Sequence, residues 1–345
     1  MKQFKILHIS DMHFRHNGRL FYSTAKKINN GLILNGHNVL HISDRDITYE
    51  KKDIFDIGSN KFLFKKIIQN INNFRPHLIL FGHVDRLKYL DFLKIKHDYP
   101  NIRFSQWFID PLVKNGPDYY KNKDRFFLKY QFCDTNFLTT SPSVIDFAND
   151  NCFFIPNLID PSIDTLRNFK NDNKYDLFIA ISNGVHRGIL KKNYYDSRIN
   201  FIKRIDKNIS KNFFGHNKNP VWGANFFDEL SKCDMGLNLS RGNPIKYYSS
   251  ARIGSLLGNG LLTLVHEDYF YQDFFTDKEM IFYKDIADLN SKIIYYKNNM
   301  KITKKIAYKG YLKSHKIFNN KIITDYMVKK TMGEKITNNL SWHNG

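Results

Sequence analysis

Phe227 to Val265 reads FDELSKCDMGLNLSRGNPIKYYSSARIGSLLGNGLLTLV, and its pattern runs helix, strand, loop, helix, strand. Phe226, Phe227 and Leu230 have the spacing of an amphipathic turn, and MGLNLS suits a buried strand. ARIGSLLGNG predicts a helix ending in glycines, and LLTLV resumes as an apolar strand. The loop between them carries Arg241, Lys246 and Arg252 among Asn243, Ser249 and Ser250. A cationic loop leaving a parallel strand and entering a helix suits a diphosphate, because backbone N–H groups, the helix dipole and fixed cations all attract it. The plain alternative is a solvated turn in a lysine-rich protein.

Ser231, Asp234, Leu237, Asn238, Arg252 and Gly260 fall in an order that resembles the donor half of group-1 glycosyltransferases, especially the CgeB-like (spore-protein-type) branch. That resemblance implies a GT-B fold: two doubly wound Rossmann-like α/β domains facing across a cleft, with carboxyl-terminal helices crossing back to the first. It implies that the loop and following helix hold the phosphates and ribose of a sugar nucleotide. Many relatives have a ribose-binding glutamate five residues before the glycine, where this chain has Ser255. That departure leaves the nucleotide open and raises a catalytically silent sugar-nucleotide or glycan-binding relative as one alternative.

The chain has 345 residues, which suits two domains rather than one. Hydrophobic residues make up 42% and aromatics 15%, enough for real cores. Cys133, Cys152 and Cys233 are scattered without a CxxC pair, arguing against a zinc cage or disulfide framework. The amino-terminal apolar run is short and charged, unlike a signal peptide, so the expected location is cytoplasmic. The formal charge of +20 comes from lysines spread along the chain, without an arginine-rich tract or nucleic-acid motif. Specific nucleic-acid binding is therefore not expected. A solvated basic surface or weak peripheral association with the anionic inner membrane face fits better.

In the first half, FKILHI (residues 4–9) is a strand, Leu20 to Leu34 a helix and Asn38 to Ser43 the next strand, the start of a doubly wound sheet. The loop between that first strand and helix holds Asp11, His13, Arg15, His16, Asn17 and Gly18. ISDMHF also looks like the Asp-x-His opening of calcineurin-type metallophosphoesterases, where both side chains bind metal. The companion motifs of that family are incomplete: Gly82-His83 is followed by Val84-Asp85, and Gly215-His216 by Asn217-Lys218. Residues 61–74 and 85–96 are expected as helices, with HLILF and IRFSQWF as strands. RPHLILFGH and SQWFIDP again resemble the CgeB-like branch, making Asp110 a candidate cleft carboxylate beside a turn reading. A helix is expected near Ser141-Pro142, and Pro156-Asn157 with Asp160 resembles the end of the family's acceptor domain.

The second half restarts with the strand YDLFIAI, followed by Ser182-Asn183-Gly184, Arg187 and a helix expected to reach Asp206. By resemblance Ser182, Gly184 and Arg187 lie near the donor phosphates, with Arg198 on the matching helix. A further helix is expected within residues 220–232, and His266-Glu267 form another strand-end loop that could meet sugar hydroxyls. The expected division is residues 1–156 on the acceptor side, a linker 157–174, a nucleotide-sugar domain 175–315, and a crossover helix and tail 316–345.

The resemblance implies transfer of a sugar from a nucleotide-sugar to a hydroxyl of a glycan, lipid-linked or protein acceptor, with retention of configuration. It implies no cofactor and no metal, because cations can neutralise the leaving diphosphate. The implied donor set is Ser182, Gly184, Arg187, Arg241, Lys246, Arg252, Ser255, Asn259, Gly260, His266 and Glu267. Asp11, His13 or Asp110 would orient or deprotonate the acceptor. Arg15, Asn17, Gly18 and His83 would line its loop.

Overall fold

The computed structural model describes residues 2–51, 60–181, 185–186, 189–190, 197–337 and 340–342. The chain divides into two compact units, Met1–Leu158 with Asn320–Gly345, and Ile159–Asn319. In the first unit the strands are β1 (Lys5–Ile9), β2 (Asn38–Ile42), β3 (Leu78–Phe81), β4 (Arg103–Phe108), β5 (Thr135–Leu138) and β6 (Cys152–Phe154). They form one parallel sheet in the order β2-β1-β3-β4-β5-β6, with Ile6 opposite both Val39 and Leu78. In the second unit β7 (Tyr175–Ala180) precedes a short antiparallel pair, β8 (Val185–His186) and β9 (Ile189–Leu190). There follow β10 (Lys211–Phe214), β11 (Cys233–Asn238), β12 (Leu262–His266) and β13 (Ile281–Tyr283). The main sheet order, β10-β7-β11-β12-β13, repeats the arrangement of the first unit.

Both sheets are covered by helices, so their inner strands read as continuous apolar runs. LILF in β3 and CDMGLN in β11 are buried along their whole length. Leu7, Ile9, Ile79, Phe81 and Phe104 share one core, while Leu177, Met235, Leu237, Leu262 and Leu264 share the other. In each order the chain reverses direction between the first strand and its later neighbour, β1/β3 and β7/β11. Ligands of open α/β sheets bind outside the carboxyl ends of the strands at that switch.

The helices of the first unit are α1 (Thr24–Leu34), α2 (Asp44–Glu50), α3 (Asn60–Phe74), α4 (Tyr89–Asp98) and α5 (Tyr119–Tyr130). Those of the second are α6 (Arg198–Lys203), α7 (Ala224–Leu230), α8 (Arg252–Gly258), α9 (Ile286–Asn298) and α10 (Met300–Ile317). The final helix, α11 (Asn320–Met332), returns to the first unit. There Tyr326 packs edge-on to Phe137, and the Thr331 and Thr135 hydroxyls lie 2.6 Å apart. A Cβ on Gly31 would lie 2.5 Å from the Asn320 carbonyl, so the approach of α1 to α11 requires glycine.

Several expected elements are corrected. Tight turns through Gly18–Ser23 delay α1 to Thr24. α4 starts at Tyr89, where the Asp91 carboxylate accepts from the Lys88 N–H, because Asp85 is held by arginines. Ser141-Pro142 opens only a three-residue 3-10 turn, and the helix expected to reach Asp206 is described only from Arg198 to Lys203. α2 and α5 were not expected: the first is too short to show a period, and the second buries Asn122 and Lys129 on its inner face.

Candidate active site

Asp11, Asp44, His83 and Asp110 each stand two residues beyond the end of a parallel strand, β1, β2, β3 and β4 respectively. The sheet therefore gathers them at one edge. Arg15 grips Asp11 with both terminal nitrogens, at 2.7 and 2.8 Å, and donates to Asp46 at 2.8 Å. The backbone N–H groups of Phe14 and Arg15 also donate to Asp46. Arg45 pairs with Asp85 at 2.8 Å, and Arg125 reaches Asp85 at 3.3 Å and Asp110 at 3.4 Å. This edge is a nearly closed lattice of opposite charges.

The lattice sets the chemistry of each member. Burial would raise Asp11, but Arg15 and His13 outweigh it and hold its carboxyl well below the usual range. A carboxylate fixed in a guanidinium fork is a poor proton acceptor, which makes Asp11 ill suited to deprotonate a hydroxyl. His13 sits at φ 63°, its N–H donating to Asp11 at 3.0 Å and its Nδ1 3.2 Å from the other oxygen. Asn17 and Gly18 continue the loop with φ 49° and 81°. His83 stacks on Phe108 with ring centroids 4.6 Å apart, its Nδ1 3.6 Å from Asp110. Burial lowers its pKa to about 3, with Arg125, Lys129 and Arg45 adding to the effect, so it is neutral.

Asp44, 1% exposed, was not anticipated. Neither of its oxygens has a well-formed hydrogen bond among the described residues, and burial pushes it up to about 6, only partly opposed by Arg45. The string SDRD (residues 43–46) directly after a strand was the available signal for Asp44, Arg45 and Asp46. The metallophosphoesterase reading is not favoured by this geometry. Arg15 occupies both Asp11 oxygens, and the described residues contain no group of three or more His, Cys, Asp or Glu side chains arranged to hold a metal ion.

In the second unit the notable edge is the end of β11. Arg198, at the start of α6, and Arg252, at the start of α8, both donate to the Leu239 carbonyl, at 3.3 and 3.2 Å. Burial lowers Arg252 to about 10 and Arg198 adds to this, while Tyr269 and Tyr248 oppose it. Among the described residues no carboxylate lies within ion-pair distance of Arg252. Ser249 Oγ donates to Asn238 at 3.1 Å, and the Ser250 N–H donates to Ser240 Oγ at 3.2 Å, pinning the loop to the strand end.

The loop carries Arg241, exposed, and Lys246, half-buried with its ammonium 5.0 Å from the Tyr247 ring and 5.9 Å from that of Phe270. Tyr247 holds a left-handed φ of 60°, which is costly for an aromatic residue. It is kept there by its hydroxyl donating to Asp273 at 2.6 Å and by Tyr271 donating to its carbonyl. His266 ends β12 against Tyr283, with Glu267 following in a 3-10 turn. Tyr248, Tyr269 and Ser240 were not singled out from sequence.

Other members of the implied donor set lie elsewhere. Ser182, Gly184 and Arg187 lie outside the described residues. Ser255 is buried on α8. Asn259 and Gly260 end that helix: Asn259 donates to Asp164 and Ser255 and accepts from the Leu166 N–H, and Gly260 abuts Phe169. They hold the segment entering the unit and are not gathered with Arg252.

Residues 195–327 match a family model described as glycosyl transferase-like. A comparison with curated protein sequences gave no match. Among solved structures, the chain is similar to an alpha-glucosyltransferase in complex with UDP and a mismatch-containing 13-mer DNA: TM-score 0.62, 12% identity, 95% of this chain and 100% of that one covered. It is similar to sucrose-phosphate synthase from Thermosynechococcus elongatus, with TM-score 0.60 and 10% identity over 94% of this chain and 98% of that one. HepE of Anabaena in complex with UDP gives TM-score 0.59 and 10% identity over 95% and 100%. With the glycosyl transferase-like segment set in the fold these structures share, the chain is a glycosyltransferase of GT-B architecture.

Proposed function

We propose that the protein transfers a sugar from a UDP-sugar to an acceptor hydroxyl, without a metal and with retention of configuration, as in the CgeB-like branch. The observation that carries this is the partly buried Arg252 guanidinium, set beside the buried Arg198 at the end of β11 with one carbonyl between them. A partly buried cation with no carboxylate partner among the described residues suits an anion. A guanidinium fork matches phosphate oxygens better than an ammonium does. UDP is the first choice because similar folds hold it in HepE and the alpha-glucosyltransferase.

In this reading Arg252 and Lys246 stabilise charge growing on the departing diphosphate. α8 spans only seven residues, so the side-chain cations supply more of that stabilisation than its dipole. Arg241, His266 and Glu267 lie on the same loops and would contact nucleotide or sugar. In the first unit His13 would take the acceptor proton, oriented by Asp11. Asp110 and His83 shape the acceptor side together with Arg15, Asn17 and Gly18. The acceptor is a glycan, lipid-linked or protein hydroxyl, and the setting is cytoplasmic and peripheral to the membrane. Among the described residues no helix is long and apolar enough to cross a membrane.

The test is a thermal-shift series with UDP, GDP, ADP and CMP derivatives, followed by nucleotide release from the sugar nucleotide that binds. UDP compounds should raise the melting point, since a ligand of the native state stabilises it. Lys246→Ala should lower turnover by roughly a hundredfold. Binding without turnover would reduce the protein to a sensor or carrier of the nucleotide. Failure of every nucleotide to shift the melting point would overturn the reading.

A further inference from the structure

We propose that the outer face of α10 is a docking surface for an anionic lipid bilayer. α10 spans 18 residues and carries six lysines and no acid. Its inner face is fixed: Thr303, Ile306, Ala307, Gly310 and Ser314 are buried, and a Cβ on Gly310 would lie 2.2 Å from the Glu279 carbonyl. Lys304 and Lys313 are neutralised by Asp172 and Glu279, at 2.7 and 2.9 Å. Lys301, Lys305, Lys309 and Lys316 are exposed and make no ion pair among the described residues.

Three large apolar side chains share that outer face: Ile302, Tyr308 and Leu312 are 40%, 46% and 48% exposed. At 3.6 residues per turn, these residues and the four lysines fall within an arc of about 120°. Lysines four apart on a helix repel, and exposed aliphatics gain nothing from water. An anionic bilayer surface relieves both. Phosphate headgroups take the ammonium ions at the ends of long stems, while Leu312, Ile302 and Tyr308 enter the headgroup–acyl boundary. A nucleic acid would reward the lysines but not the aliphatic side chains between them. The complementarity therefore selects lipid.

This surface does not depend on the sugar-transfer reading, because binding to vesicles needs no donor. The experiment is co-sedimentation of the full chain with vesicles of phosphatidylcholine alone or mixed with phosphatidylglycerol. The protein should sediment with the mixed vesicles and not with the neutral ones. Each lysine near an anionic surface is worth about fivefold in binding. Lys305→Gln/Lys309→Gln should thus bind about 25-fold more weakly, at an unchanged melting point. Leu312→Ser should also weaken binding, which charge alone does not predict. Lys65→Gln/Lys121→Gln, exposed lysines of the other unit, should leave binding within about twofold. Equal sedimentation with both vesicle types, no sedimentation with either, or equal losses in the two double variants would overturn the proposal. So would binding to a duplex oligonucleotide, lost in the α10 variant, without binding to vesicles.

Discussion

The two units share one strand order, yet their carboxyl edges treat charge in opposite ways. Around β1–β4, Arg15, Arg45 and Arg125 are each bound to aspartates, so the edge is close to neutral and rigid. At the end of β11, Arg252 meets a carbonyl and a second guanidinium, with no carboxylate at ion-pair distance among the described residues. A charge lattice that satisfies itself is a scaffold. A partly buried cation whose partner is neutral is what the proposed donor site would use to hold a diphosphate. The same topology therefore carries a paired charge lattice in one unit and, under the proposed function, a diphosphate site in the other.

The sharpest way to break this contrast is to remove an arginine from each edge. Arg15→Ala should cost about 3 kcal/mol in denaturant unfolding, since it removes the guanidinium that bridges the buried Asp11 and Asp46 carboxylates. Arg252→Met, which keeps bulk and removes charge, should leave the melting point unchanged or higher. It should lower turnover about a hundredfold, or about 2.7 kcal/mol of transition-state stabilisation. A stability loss at Arg252 as large as that at Arg15 would mean that the second edge is a structural network as well.

Asp44 refines the comparison within the first unit. Its folded-state pKa of about 6 lies above the ordinary carboxylate value, so the native state binds that proton more tightly than the unfolded chain. Its effect on stability is therefore unfavourable above pH 6 and fades as pH falls towards 4. Asp11, Asp46 and Asp85 are shifted downwards, and their contribution is lost in the acid range instead. Asp44→Asn should stabilise the protein by about 2 kcal/mol at pH 8 and by almost nothing at pH 4. Urea melts at the two pH values measure this. A pH-independent difference would mean that Asp44 is paired in solution.

Much of this architecture was legible in the sequence because parallel strands covered on both faces announce themselves. FKILHI, HLILF and YDLFIAI are apolar runs closed by polar residues, and the polar residue after each run marks the sheet edge. Asp11 and His83 were placed at strand ends that way, and Asp110 through the resemblance of SQWFIDP to the CgeB-like branch. The pairings were not legible: Arg45 reaches Asp85, and Arg252 and Arg198 meet at Leu239, through contacts distant along the chain that periodicity does not encode. Asn259 and Gly260 show a second kind of contact that the sequence did not reveal. Their order resembles a donor motif, and Asn259 also bonds Asp164 and Leu166 while Gly260 abuts Phe169, so both have a packing role. Tyr247 carried no sequence signal, because only its left-handed backbone and Asp273 bond reveal that the loop is held under strain.

The smallest effect expected is at Ser249, which links the cationic loop to β11 through Asn238. Both partners are buried, and Asn238 Nδ2 has no hydrogen bond among the described residues. Ser249→Ala should cost about 1 kcal/mol of stability, the usual net value of such a bond. If the loop's shape serves the donor, the same change should weaken UDP binding while leaving chemistry in the bound complex nearly intact, because Arg252 keeps its own bond to Leu239. Titration of UDP alongside single-turnover rates separates the two effects. A loss of stability with unaltered UDP affinity would place Ser249 in the scaffold and leave the proposed diphosphate site to Arg252, Arg198 and Lys246 alone.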